Sequence, residues 1–159
     1  MPRAWVALLV LLAGPMPRAV AAAQPAHPHP EPSRTAASAP AVARAETGLS
    51  VLPNHAVAPG TVEVTLTAAP ARAGLLPGME TEVYAYNGRI PGPTLEVREG
   101  DRVVVRFRNE LPEPTTIHWH GLHLPIDADG SPLHPVAPGE AYDYVFTIPA
   151  GSAGTYWYH

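Results

Sequence analysis

The 159-residue chain carries 10 Lys and Arg against 14 Asp and Glu, a formal net charge of −4, and no cysteine. Charge so thin and negative leaves no basic patch for nucleic acid or anionic lipid. Without a thiolate the segment holds neither a disulfide framework nor a blue-type copper centre, so its fold rests on burial alone or on burial plus metal.

In chain order, Met1 to about Ala23 reads as a secretory signal peptide. Arg3 gives the charged start, Trp5 to Ala13 the short apolar core, and Val20-Ala21-Ala22-Ala23 the small-residue cleavage site before Gln24. Gly14, Pro15 and Pro17 break the apolar run well short of a membrane span. No Arg pair precedes that run, which favours general secretion over twin-arginine export. A periplasmic or secreted location is expected. Gln24 to Gly60 is rich in Ala and Pro and reads as a flexible leader. Its His27, His29 and His55 lack a scaffold and are assigned no site.

From Thr61 the texture changes to short alternating runs. Thr61 to Thr67 and Thr81 to Tyr86 read as half-buried strands. Asn87-Gly88 and Ile90-Pro91-Gly92-Pro93 are turn chemistry, followed by a strand over Thr94 to Val97. Glu99-Gly100-Asp101 turns into a strand over Arg102 to Asn109, in which Val103, Val105 and Phe107 share a face. Leu111 to Thr115 is a loop leading to a histidine-bearing strand. Glu140 to Ile148 and Thr155 to His159 complete the pattern. No ten-residue stretch shows a helical stripe. The fold class is therefore all-β, an antiparallel Greek-key β-sandwich over residues 61–159, expected to be incomplete at its C-terminal end and to expose an unpaired edge.

Thr116-Ile117-His118-Trp119-His120-Gly121 carries the chemistry. Side chains of a strand alternate, so His118 and His120 share one face while Trp119 points to the other. Two neutral imidazoles on a rigid strand begin a copper or zinc site. Taken alone, a solvent-facing pair is the simpler reading. His123 and His134 read as surface groups or as supports for the site. Trp119, Trp157, Tyr156 and Tyr158 read as core or interface filler.

Tyr86-Asn87-Gly88-Arg89-Ile90-Pro91-Gly92-Pro93-Thr94-Leu95, Gly100 to Val105, Asn109, His118-Trp119-His120-Gly121-Leu122 and Gly154-Thr155-Tyr156-Trp157-Tyr158-His159 together resemble the first cupredoxin domain of multicopper oxidases, laccase-like enzymes. The resemblance covers essentially residues 61–159. It implies a cupredoxin-like sandwich in which His118 binds a type 2 copper and His120 a type 3 copper. His159 is implied as a further type 3 ligand, on the copper held by His120. It also implies an acidic residue beside the type 2 copper, and Asp129 lies nine residues after His120, where a carboxylate relays protons to reduced oxygen. Asp127 is the fallback, and an Asp-Gly turn without chemistry is the simpler alternative for Asp129. As a whole the resemblance implies a copper-dependent oxidoreductase whose partners are dioxygen, a small reducing substrate and a C-terminal cupredoxin domain that carries the type 1 copper. This segment alone is expected to be inactive and to bind copper weakly. The rival from another class is a non-enzymatic periplasmic copper-binding or copper-resistance protein on the same fold. A cupredoxin-like scaffold that has lost its metals fits less well, because the His-x-His is intact. A two-domain nitrite reductase also fits less well, because its first domain carries the type 1 cysteine.

Overall fold

The computed structural model describes residues 5–8 and 42–159. Ten strands follow one another: β1 (Trp5–Leu8), β2 (Glu46–Thr47), β3 (Thr61–Leu76), β4 (Met79–Tyr86), β5 (Arg89–Ile90), β6 (Leu95–Arg98), β7 (Arg102–Asn109), β8 (Trp119–His120), β9 (Ala141–Thr147) and β10 (Thr155–Tyr158), with no helix among the described residues. They form a six-stranded sheet in the order β2-β5-β4-β3-β7-β9 and a four-stranded sheet in the order β6-β1-β10-β8.

Alternation explains how the two layers close. In β3, Val62, Val64 and Leu66 face inward, as do Val103, Val105 and Phe107 of β7, while Glu63 and Arg106 point outward and pair with each other. From the opposite sheet, Leu95, Val97, Trp119 and Tyr158 fill the space between the layers, and Tyr144 and Phe146 of β9 complete a single core. An apolar face on each sheet is stable only when it meets the other, so the sandwich is the arrangement this pattern selects.

Strand pairing differs from a purely antiparallel scheme. β3 runs parallel to β7 over eight residue pairs, from Thr61↔Arg102 to Ala68↔Asn109. A parallel pair needs a crossover, and the intervening β4, β5 and β6 provide it, with β6 already in the other sheet. β3 is also longer than its alternating start suggests. It continues through Ala68-Ala69-Pro70-Ala71 to Leu76 and pairs with β4 around Pro77-Gly78. Small side chains there form a minor cluster of Ala45, Ala71, Ala73, Ala85 and Ile90.

Residues 42–60, read from composition as part of a flexible leader, lie instead against the domain. β2 pairs with β5, Val51 bridges Thr94, and Leu52 is buried in the main core. The Ala- and Pro-rich composition hid this docking, because the sheet edge supplies the hydrogen bonds, and Leu52 in the main core and Ala45 in the minor cluster anchor the segment. Within the expected signal peptide, only Trp5–Leu8 is described. It runs as a strand between β6 and β10, antiparallel to the first and parallel to the second. The remainder of that segment, and residues 24–41 with His27 and His29, lie outside the described residues. Among the described residues no helix is long and apolar enough to cross a membrane.

Asn109, at the end of β7, is fully buried yet fully used. Its side-chain amide donates to the carbonyls of Glu113 and Val136, and its carbonyl accepts from the Leu111 amide. It thereby shapes the loop that delivers the chain to the histidine segment. Asn109→Ala leaves these backbone groups unpaired in the interior and is expected to cost at least about 2 kcal/mol, read as a lower urea midpoint at unchanged slope.

Candidate metal centre

The site is a two-stranded ribbon. Trp157 is the register partner of His120, and Tyr158 of Trp119. One step further along, the amides and carbonyls of His118 and His159 exchange both hydrogen bonds, at 2.8 and 3.1 Å. Cross-strand partners project to the same side. One face of the ribbon therefore presents His118, His120, Trp157 and His159, and the other presents Ile117, Trp119 and Tyr158, each fully buried. Burial of the second set forces the first outward. Trp119 is further held by its indole N–H, which donates to the Ala128 carbonyl at 3.0 Å.

The imidazoles converge rather than splay. Ring centroids of His118 lie 5.5 Å from His120 and 5.4 Å from His159, and ligand nitrogens of all three lie within 4.8 Å of one another. Nδ1 of His120 and Nε2 of His159 stand 3.5 Å apart. That is the spacing two imidazoles take on one ion with metal–nitrogen bonds of about 2.0–2.1 Å. A donor set of neutral nitrogens suits copper or zinc, and the divalent affinity order favours copper.

His118 has an anchored ring. Its Nδ1 donates to the main-chain carbonyl of Asp129 at 2.9 Å, which leaves Nε2 free as a ligand. The Asp129 carboxylate lies on the same side, with Oδ1 at 3.3 Å from Nδ1. The ring proton is already committed to the carbonyl, so Oδ1 is buried and, among the described residues, without a hydrogen-bond partner. Asp127, by contrast, is exposed, and only its main-chain carbonyl is used, by the Tyr142 hydroxyl. His118, Asp129, His159, Thr116, Ile126 and Pro132 line an open cleft of about 860 Å³. His123 and His134 are exposed and stand outside the three-histidine cluster.

Burial first, and then the neighbouring imidazoles of His118 and His120, push His159 below the ordinary histidine range. Both causes disfavour a protonated ring, so His159 stays neutral and able to bind metal further into acid than a free histidine.

Three contributors are not evident from motifs. The Tyr144 hydroxyl, on β9, accepts the Ile117 amide at 3.0 Å and touches the Thr116 hydroxyl at 2.9 Å, pinning the chain just before His118. Gly130 packs so closely that a Cβ would lie 1.8 Å from the Ile117 carbonyl oxygen, and its φ is +75°. Trp157, read from sequence as filler, stands on the imidazole face; its parity with His159 was the available signal. Trp119 and Tyr158 are core, as read.

The family profile described as multicopper oxidase matches residues 67–159. Copper resistance protein A of Escherichia coli is 41% identical over 85 residues, covering 52% of this chain and 14% of its own length. A multicopper oxidase of Mycobacterium tuberculosis is 41% identical over 101 residues, covering 62% of this chain and 19% of its own. Among solved structures, a multicopper oxidase from Campylobacter jejuni, described as a metallo-oxidase, superposes with a TM-score of 0.66 at 42% identity, over 74% of this chain and 26% of that one. The chain thus spans less than a quarter of the length of the curated relatives it matches here, and its all-strand fold is cupredoxin-like.

Two outcomes are expected. Gly130→Ala drives a methyl into the Ile117 carbonyl and displaces the loop under His118, so thermal stability falls by at least about 2 kcal/mol and copper uptake weakens with it. Copper(II) affinity, titrated from pH 7 to pH 5, falls as the imidazoles take up protons that compete with the metal; a flat profile would contradict ligation by histidine.

Proposed function

Because the chain belongs to the multicopper oxidase family, we propose that it is the N-terminal part of an exported copper oxidase and provides one wall of its oxygen-reducing copper cluster. The observation that carries this reading is the convergence of three imidazoles, from two hydrogen-bonded strands, on one open face. In this assignment His118, through Nε2, holds the type 2 copper, and His120 and His159 share a type 3 copper. The close approach of His120 Nδ1 to His159 Nε2 supports the pairing. When bound, such a cluster passes four electrons from a reducing substrate to dioxygen, which with four protons becomes two waters.

What the residues of this chain contribute is positioning and proton traffic. The Asp129 carbonyl orients His118, and the unpartnered Oδ1 of Asp129 takes up a proton and gives it up at the cleft beside that ring. The open cleft admits water and small molecules to the same place. With no cysteine in the segment, electron entry belongs to a partner cupredoxin domain carrying a type 1 copper. Such a domain would close over the exposed histidine face. Substrate choice is set around that other site. Export of the protein fits the signal-like start; removal of residues 1–23 would take β1 out of the four-stranded sheet, leaving β6 and β10 without their shared neighbour, and residues 61–159 form the first cupredoxin domain with residues 42–60 docked on it.

The second reading is a copper-binding resistance protein without oxidase chemistry, favoured by the names of relatives such as the copper resistance protein A of Escherichia coli. Full-length protein separates the two. Steady oxygen consumption with a phenol or cuprous ion, together with the blue absorption of a thiolate-bound copper, supports the oxidase. Histidine-dependent copper binding without either supports the resistance protein. In the 159-residue chain alone, weak copper binding that drops at least about tenfold in His118→Ala or His120→Ala, with no oxidase turnover, is expected. Copper uptake indifferent to both substitutions would defeat the site.

A further inference from the structure

We propose that Trp157 is a positioning residue for the metal site, its indole forming a shared platform that sets the ring planes of His120 and His159; this rests on the copper reading of the three histidines. The ribbon face is a square with four corners, three of them imidazoles. Trp157 is the fourth, directly opposite His120 and two residues before His159 on the same strand face.

Its contacts differ in kind from those among the histidines. The indole stacks on His120 with centroids 4.6 Å apart and planes 25° apart, and on His159 at 4.2 Å and 26°. The imidazoles meet one another only at steep angles, 46° to 77°. His120 and His159 are 5.7 Å apart. Rings on opposite faces of a flat plate stand roughly 7 Å apart, twice a carbon–carbon contact. Both imidazoles therefore lie over one side of the indole, tipped toward each other so that Nδ1 of one approaches Nε2 of the other at 3.5 Å.

Core filling does not explain this placement. The core lies on the other face of the ribbon, and Trp157 is neither in the buried cluster nor among the residues packed against it. His118 has a carbonyl to hold its ring through Nδ1. Among the described residues no comparable main-chain anchor accompanies the ring of His120 or His159, and the indole stack supplies their restraint. Ligands held in the bound orientation lose less freedom when metal arrives, so affinity rises without any new bond to the ion.

The experiment uses the full 159-residue chain as wild type, Trp157→Phe, Trp157→Leu and, as a control for the site, His120→Ala. Metal-free samples are examined first by NMR. Removing the indole in Trp157→Leu is expected to move the ring-proton shifts of His120 and His159 downfield, with those of His118 moving much less. Each sample is then titrated with copper(II) against a competing chelator and followed by electron paramagnetic resonance. Trp157→Leu should lower affinity about tenfold, in the range found for groups that orient metal ligands, and broaden the copper signal. Trp157→Phe, which keeps a flat ring, should stay within about threefold of wild type. The urea midpoint of both variants should match wild type, since neither touches the core. Histidine shifts and copper affinity unchanged in Trp157→Leu overturn the platform while leaving the copper site standing. An equal loss in Trp157→Phe and Trp157→Leu also overturns it, because a flat ring would then not be what matters. Failure of wild type and His120→Ala to differ in copper uptake removes the underlying site and the platform with it.

Discussion

The structure turns on one pairing: the segment from His118 to His120 against the segment from Trp157 to His159. That ribbon is a few residues long, and its stability comes from the face it buries. Ile117, Trp119 and Tyr158 are inaccessible to solvent and packed among Tyr144 and Phe146 of the facing sheet. Alternation then leaves the imidazoles no choice of side. The apolar face acts as the lever and the histidine face as its load, so any change loosening Trp119 or Tyr158 disturbs the imidazoles on the other side.

Around this ribbon main-chain groups, which have no rotamers to lose, hold the rings of His118 and Trp119 and the Tyr144 hydroxyl. The Asp129 carbonyl takes the His118 ring proton, the Ala128 carbonyl takes the Trp119 indole, and the Ile117 amide is taken by Tyr144. Gly130 makes the first two possible, because only a residue without a Cβ lets the loop from Pro125 to Gly130 lie against Ile117. The loop is itself closed by hydrogen bonds from the Ala128 and Asp129 amides to the Pro125 carbonyl. Imidazoles supported this way would meet a metal ion with their geometry already chosen. The Asp129 carboxylate is the exception: its side chain is partly exposed, but Oδ1 is buried without a hydrogen-bond partner among the described residues, beside the His118 ring, which is costly for structure alone and useful for chemistry.

The sandwich behind the site has its own division of labour. β7 is the central strand of its region, parallel to β3 and antiparallel to β9, and it ends at the fully bonded Asn109. From there the chain leaves the large sheet, passes through Leu111, and enters the small sheet at the histidines. Tyr158 reaches back across the core, its hydroxyl donating to the Pro93 carbonyl at 2.7 Å, so the turn after β5 and the last strand are tied together. Burial, and then the neighbouring Tyr86, raise the Tyr158 phenol far above its usual value, which keeps that donor protonated at any physiological pH.

Read alone, the amino-acid sequence determined what depends on neighbours within a few residues. Period-two alternation located the start of β3, β4 and β7, turn residues bounded β9 and β10, and alternation put His118 and His120 on one face with Trp119 on the other. The motif pattern around them identified the family. Contacts between residues far apart in the chain carry no such local signature, and those were decided by tertiary structure. The parallel β3–β7 pairing, the docking of residues 42–60 through Leu52, and the partnership of His118 with His159 all depend on register between separated strands. The same holds for Trp157. Its parity was written in the chain, but that its ring lies beneath two imidazoles follows only from the antiparallel pairing that sets it opposite His120. Local periodicity chooses the side of a strand, and only packing across the sandwich chooses the neighbour met there.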